Sequence, residues 1–454
     1  MLLRVTLTNF LCFRGEASLT LVAGSDDSHP AHIIAGGSKA APRVLRGAAL
    51  YGANGHGKTK FVEALETLQK IVVEGCDEDE SYINMGFSLS PADAEKPTVF
   101  NVEFNYKGID YDYGIAVAED HIVEEWLYSR PNVKEVMLFE RTTVRNGDKF
   151  STTVKPGNTL LEAMRTQNDL PPAQLFAFVA SGTRETQPFL TEAVDRNIDA
   201  LKAAHGWFTD GLVIVGADAE FGSLHLRSRA DPDFVARMSE FVRRADTGIH
   251  RVEAIEEVFD VNTFPGMTTS ARKDILDKIG RGDLIVKSPE GQTLVLRRGD
   301  EGGIVAIRIV AIHKGSEGEE YAFRIEDESA GTQRLLHLAP MIFALSKSDR
   351  TFIVDEVYRK LHPLLAYEFI DTFLKEGNAG QIVFTTHNTH LLDLKLLRRD
   401  EIWFVQKDGE GSSSLYSLSD IRVRNDINIE RGYLDGRFGA IPFIGNVRDL
   451  GWTG

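Results

Sequence analysis

Residues 52–59, Gly52-Ala53-Asn54-Gly55-His56-Gly57-Lys58-Thr59, meet the pattern G-x-x-x-x-G-K-[ST] at every fixed position. The chemistry of such a loop is the holding of a phosphate chain. Its glycines let backbone N–H groups turn inward around phosphate oxygens, and the helix that follows adds positive potential. Lys58 would reach the β- and γ-phosphates, the Thr59 hydroxyl would ligate Mg2+, and Lys60 is grouped with these nucleotide-binding residues. A second set lies far along the chain. Thr351-Phe352-Ile353-Val354 is an apolar run ending in the adjacent carboxylates Asp355 and Glu356. The first would hold the hydrated Mg2+ and the second would polarise an attacking water. A third run, Gln381-Ile382-Val383-Phe384-Thr385-Thr386, ends at His387, which could hydrogen-bond a γ-phosphate and that water. His390, close by, reads as structural. Finally, Ser329, Gly331 and Gln333 stand at the start of an apolar helix, where small residues make either an anion site or a plain N-cap.

These residues need rigid elements to carry them. Ala48-Ala49-Leu50-Tyr51 predicts a buried strand running into the loop, and Phe61–Leu68 carries apolar residues at helical spacing. The glycine loop therefore sits between strand and helix, as phosphate binding requires. Upstream, Arg4–Phe10 and Ala17–Leu21 alternate like strands, and residues 24–42 read as a loop. Residues 75–80 read as an acidic loop. Residues 98–128 and 136–155 alternate again and predict an antiparallel meander. The chain turns helical near 159, with Asp231-Pro232 as an N-cap and first-turn proline ahead of Phe234, Met238, Phe241, Val242 and Ala245. From about 290 onward, strands and helices alternate as an α/β sheet demands.

The 454 residues include 51 Lys+Arg against 67 Asp+Glu, a formal charge of −16, which disfavours a protein that coats nucleic acid with its whole surface. A local basic stretch such as Arg398-Arg399 remains compatible with DNA or RNA contact. Cys12 and Cys76 are the only cysteines, too few for a disulfide framework and in keeping with a reducing cytoplasm. No apolar run is long enough to span a bilayer and the first residues alternate like a strand, so neither a membrane span nor a signal peptide is expected.

The order P-loop, long middle, Ser-x-Gly-x-Gln, Asp-Glu, His resembles that of ABC-type ATPase heads, the class that includes SMC and RecF proteins. More narrowly, the chain resembles the bacterial AAA family 15 ATPases, many of them associated with abortive infection and phage defence. The opening Asn9-Phe10, GANGHGKT, ESAGTQRLL, Leu361-His362-Pro363 and TTHNTHLLD carry the resemblance, together with the tail from Arg398 to Pro442, including GYLDGRFGAIP. It covers residues 1–75 and 320–445 well and the middle loosely. It implies an α/β, ABC-type P-loop ATPase head, a mixed sheet with an N-terminal antiparallel meander and a compact helical insertion. The expected divisions are an ATPase lobe at 1–158, a mainly helical insertion at 159–288, and a second ATPase lobe at 289–454.

By the same resemblance ATP and Mg2+ are the cofactors, and a homodimer, or a higher oligomer, sandwiches ATP. Ser329, Gly331 and Gln333 of one copy would face the γ-phosphate held by Lys58 of the other. The middle shows no sustained heptads, so no long coiled-coil tether is expected. The stretch after Glu401 is too short for an appended Toprim nuclease, so a nuclease or toxin under its control would act in trans. The expected role is an ATPase switch in anti-phage defence. A DNA-clamping repair ATPase and a slow-hydrolysing assembly scaffold are the competing readings. The chain departs from its relatives at Val357-Tyr358-Arg359-Lys360, where two cations precede Leu361, and no residue can be assigned to a glutamine loop.

Overall fold

A computed structural model describes residues 1–34, 42–75, 85–131, 134–147, 149–165, 171–217, 231–260, 269–279, 283–287, 293–299, 302–345, 348–358, 361–376, 380–422 and 428–441. Cys76, Arg359, Lys360, Pro442 and most of the 75–80 loop lie outside the described residues, as do positions 35–41 of the 24–42 loop. The chain forms two compact units. One comprises Met1–Ala217, Lys347–Val357 and Ile370–Gly454, and the other Asp218–Ser346 and Tyr358–Phe369.

The first unit is built on two sheets. One is the expected meander, seven strands in spatial order Lys149–Pro156, Val136–Asn146, Ile122–Arg130, Ile109–Val117, Thr98–Tyr106, Leu2–Thr8 and Ala17–Thr20, each pair antiparallel. Alternating burial along Thr98–Tyr106 explains why its period was legible: one face meets the core and the other is partly wet. The other sheet has the order Leu212–Val215, Thr351–Val354, Gln381–Thr385, Gly47–Tyr51, Ile402–Lys407, Ser413–Ser417. Its first five strands are parallel and the last is antiparallel. Gly47–Tyr51, Thr351–Val354 and Gln381–Thr385 are buried at every position, as unbroken apolar runs in a parallel sheet must be.

Gln381 stitches the two sheets together. Its Oε1 accepts from the Leu2 N–H at 2.6 Å and the Thr351 hydroxyl at 2.9 Å, while its Nε2 donates to the Leu2 and Leu45 carbonyls at 3.0 Å. The side chain is wholly buried with both ends satisfied, so it fixes the register of the meander over the parallel sheet.

The segment expected as one helical insertion, 159–288, is divided between the units. Its first part, with helices Asn158–Met164, Pro172–Gly182, Phe189–Asp195 and Lys202–Gly206, belongs to the first unit. These helices join the meander core, where Trp207 stacks on Phe104 at 4.3 Å and Phe208 meets Phe104 and Tyr113 edge-on. A buried ion pair anchors them. Glu125 accepts N–H bonds from Phe189 and Leu190 at the start of a helix and lies 3.7 Å from Arg141, both side chains having no exposure.

The second unit is mixed α and β. Arg251–Val258, Ile304–Lys314, Thr293–Arg298 and Leu284–Lys287 form an antiparallel sheet in that order, and Glu320–Arg324 also pairs with Ile304–Lys314. Glu-rich Arg251–Val258 has little strand character alone and is drawn into the sheet by eight register partners on Ile304–Lys314. The helix Pro232–Arg244 forms as its cap signal requires: the Asp231 carboxylate accepts the Phe234 N–H at 3.0 Å, and Phe234, Met238 and Val242 are buried. Among the described residues no helix is long and apolar enough to cross a membrane.

Candidate active site

The loop 52–57 leaves the end of strand Gly47–Tyr51 and enters helix Lys58–Glu74. Two of its glycines are required by space. A Cβ at Gly52 would lie 2.5 Å from the Val405 carbonyl oxygen of the neighbouring strand. One at Gly57, whose φ is +110°, would lie 2.7 Å from Cys12 Sγ. Gly57 starts the helix with no side-chain cap, which leaves the first-turn N–H groups for an anion. Lys58 is 5% exposed and donates to the Gly52 and Ala53 carbonyls at 2.7 and 3.2 Å. Burial pulls its pKa down from 10.5 to about 8, although Glu356 and Asp355 act to raise it. Lys60 pairs with Glu63 at 2.7 Å. The His56 Nδ1 faces the Val405 carbonyl at 3.4 Å, and burial lowers this imidazole's pKa.

Strand order decides what stands opposite the loop. Gln381–Thr385 lies between the P-loop strand and Thr351–Val354, so its polar end reaches both. His387 Nδ1 is 3.4 Å from Lys58 Nζ and its Nε2 is 3.5 Å from Glu356 Oε1. Its pKa is lowered, first by burial and then by Lys58, against the opposing pull of Glu356 and Asp355, which favours the neutral ring. Asp355 is 3% exposed and accepts the Thr385 hydroxyl at 2.5 Å. Glu356 has φ +43°, a left-handed conformation that costs a non-glycine residue energy and is commonest at functional sites.

Lys58, Gly55, Gly57, Asn54, Thr59, Glu356 and His387 line one cleft of about 510 Å3, a size that suits a small ligand. Leu11, Cys12, Phe87 and Leu89 line it too and supply apolar surface such as a flat base could cover. Asn9 explains how they arrive there. Its Oδ1 accepts the Phe87 N–H at 3.0 Å, its Nδ2 donates to the Asp93 and Lys96 carbonyls at 2.8 Å, and the Leu11 N–H reaches the Met85 carbonyl. The residues present fit a nucleotide phosphate chain: a buried Lys58 bonded, among the described residues, to its own loop's carbonyls and His387, an uncapped helix start, and Gly52 and Gly57, where a side chain would clash. Thr59 and Asp355 supply the oxygen donors that Mg2+ prefers.

Ser329, Gly331 and Gln333 lie in the second unit, at the start of helix Ala330–Leu345. The Ser329 hydroxyl accepts the Thr332 N–H at 3.2 Å, so it does cap the helix, and Gln333 Nε2 donates to the carbonyls of Glu326 and Glu328. His390 is an exposed partner of Glu430 at 3.7 Å, away from Lys58's contacts. Leu11, Cys12, Phe87, Ser88, Leu89, Lys407 and Gly411 line the cleft and escaped the sequence reading. The nearness of Asn9-Phe10 could have pointed to Leu11 and Cys12, whereas Phe87 and Leu89 gave no signal, since contacts with the distant segment that holds Asn9, Leu11 and Arg14 bring them in.

The structure resembles the Smc head bound to the C-winged helix domain of ScpA, at 13% identity and a TM-score of 0.42, covering 92% of this chain and 97% of that one. It also resembles the SMC head domain from Thermotoga maritima (13% identity, TM-score 0.37, 93% and 99% covered) and a RecF structure of the RecFOR pathway (11%, 0.34, 92% and 98%). No curated protein matches the chain. The family model described as "AAA domain, putative AbiEii toxin, Type IV TA system" matches residues 48–393, which span the P-loop, the Asp-Glu strand and His387, and the chain belongs to that AAA domain family.

Proposed function

We propose that this protein binds ATP with Mg2+ in the cleft, hydrolyses it, and uses the cycle as a switch. The observation that carries the reading is the convergence of Lys58, Glu356 and His387 on one cleft from segments far apart in sequence, with Asp355 buried next to Glu356 and bonded to Thr385. Lys58 and the helix start would offset phosphate charge. Thr59 and Asp355 would hold Mg2+, which when bound neutralises charge on the β- and γ-phosphate oxygens. Glu356 orients water and takes its proton, and neutral His387 hydrogen-bonds the γ-phosphate side of that water.

Closure by a second copy rests on the resemblance to ABC-type ATPase heads: Ser329, Gly331 and Gln333 would complete the partner's site, so that ATP would promote a dimer and its hydrolysis would loosen it. The family description names a putative toxin of a type IV toxin–antitoxin system; that the switch acts in anti-phage defence by controlling a separate nuclease or toxin is part of the proposal and rests on the resemblance to AAA family 15. Membership of AAA family 15 belongs to the same proposal.

The test compares Lys58→Ala with Glu356→Gln. Lys58→Ala should lose nucleotide binding, while Glu356→Gln should retain ATP and run as a closed dimer in light scattering. A Glu356→Gln protein that turns over at the parent rate defeats the assignment of the base. A rate stimulated by duplex DNA, in a protein with no effect on cell growth or phage, would favour the DNA-clamping reading.

A further inference from the structure

The structure assigns to Thr385 a part that resting on a strand between the two motif strands makes available to it alone: we propose that its hydroxyl is the positioning group that sets both carboxylates of the active site. The inference deepens the ATPase reading above and rests on it. Thr385 is the last residue of Gln381–Thr385 and is 1% exposed. Its Oγ1 lies 2.5 Å from Asp355 Oδ1 and 2.7 Å from the Glu356 backbone nitrogen.

The direction of both bonds follows from chemistry. A backbone N–H can only donate, so the hydroxyl accepts from Glu356. Its single proton is then free for Asp355, whose Oδ1 accepts it. Such a bond to a charged group is short and roughly twice as strong as a neutral one. The hydroxyl thereby engages Oδ1, and Oδ2 of Asp355 would be the oxygen offered to a metal ion. In the same stroke it pins the nitrogen of a residue whose φ of +43° is unfavourable, and so aims the Glu356 side chain toward His387. Position 386 does not duplicate this: the Thr386 hydroxyl accepts the Asn388 N–H at 2.9 Å, and its backbone N–H reaches the Leu50 carbonyl.

The substitution Thr385→Val keeps shape and removes the hydroxyl; Thr385→Ser keeps the hydroxyl and removes a methyl. Thr385→Val is expected to lower kcat by about 10- to 100-fold, the usual cost of losing an outer partner of a metal ligand. It should also raise the Mg2+ concentration needed for half-maximal rate. Thr385→Ser should restore both. Should the valine variant fail to fold by circular dichroism, Thr385→Ala is measured in its place against the same serine variant.

Binding of a fluorescent ATP analogue with and without Mg2+ gives a readout that needs no turnover. The parent should gain affinity from Mg2+, and the hydroxyl-less variant should lose most of that gain. A valine or alanine variant with parental kcat and Mg2+ dependence overturns the proposal, as does a folded serine variant as impaired as valine, since the methyl would then be what matters. A parent that binds Mg2+ and ATP but never hydrolyses it defeats the hydrolytic reading alone, because the Mg2+-linked affinity still tests the hydroxyl.

Discussion

ATP binding should draw protons from solution near pH 8, and the amount follows from Lys58. In the nucleotide-free protein this side chain is 5% exposed and its pKa is depressed to about 8 by burial. At pH 8 about half of the molecules therefore carry a neutral Lys58, and at pH 7 about one in ten. A phosphate chain against the ammonium is an opposite charge within a few ångströms, which returns the group toward its ordinary value of 10.5. Binding at pH 8 should then take up about 0.5 proton per site, falling to about 0.1 at pH 7, and affinity should fall toward about tenfold per pH unit above 8.

Calorimetric titration with ATP at pH 8, in two buffers of different ionisation enthalpy, reads the proton count from the difference in apparent heat. His387 and His56, whose pKa values are lowered from 6.5, are already neutral there and should add nothing. Equal heats in the two buffers would refute the argument. The same group sets a stability trend. Lys58 titrates at about 8 in the folded chain and 10.5 unfolded, so between those values the unfolded chain holds more protons, and the nucleotide-free protein should gain stability as pH rises through that window. Below about pH 8 both states are charged and the folded one bears the full cost of burial.

Gly52→Ala should abolish ATP binding and lower stability by about 1–3 kcal/mol, because its Cβ meets the Val405 carbonyl at 2.5 Å and a backbone strand cannot give way cheaply. Gly55→Ala is the control: nothing lies within 4 Å of its Cβ, and only the positive φ of +76° is unfavourable, about 1 kcal/mol. Urea unfolding and a nucleotide-binding assay separate the two. Glu125→Gln should cost about 3–5 kcal/mol in urea unfolding by leaving the fully buried Arg141 without its anion; a loss below 1 kcal/mol would show that the carbonyls of Arg184, Glu185 and Gln187 suffice for it.

Local chemistry was written in the chain itself. A glycine loop between an apolar strand and an amphipathic helix, a strand closing on Asp355-Glu356, and the alternation of the meander are all readable in contiguous stretches of chain, because backbone geometry and one-sided burial impose them. Asp231 likewise announced its helix. The sequence also named Thr385 as a strand residue without revealing its use. That depended on Gln381–Thr385 settling between strands that are distant in the chain, a matter of which faces pack best together. The same holds for Phe87, brought to the cleft by Asn9, and for Arg251–Val258, whose glutamates suit a helix until Ile304–Lys314 offers it a full ladder of partners. Pairing between remote segments is settled by the free energy of the whole assembly, which no short window of residues contains.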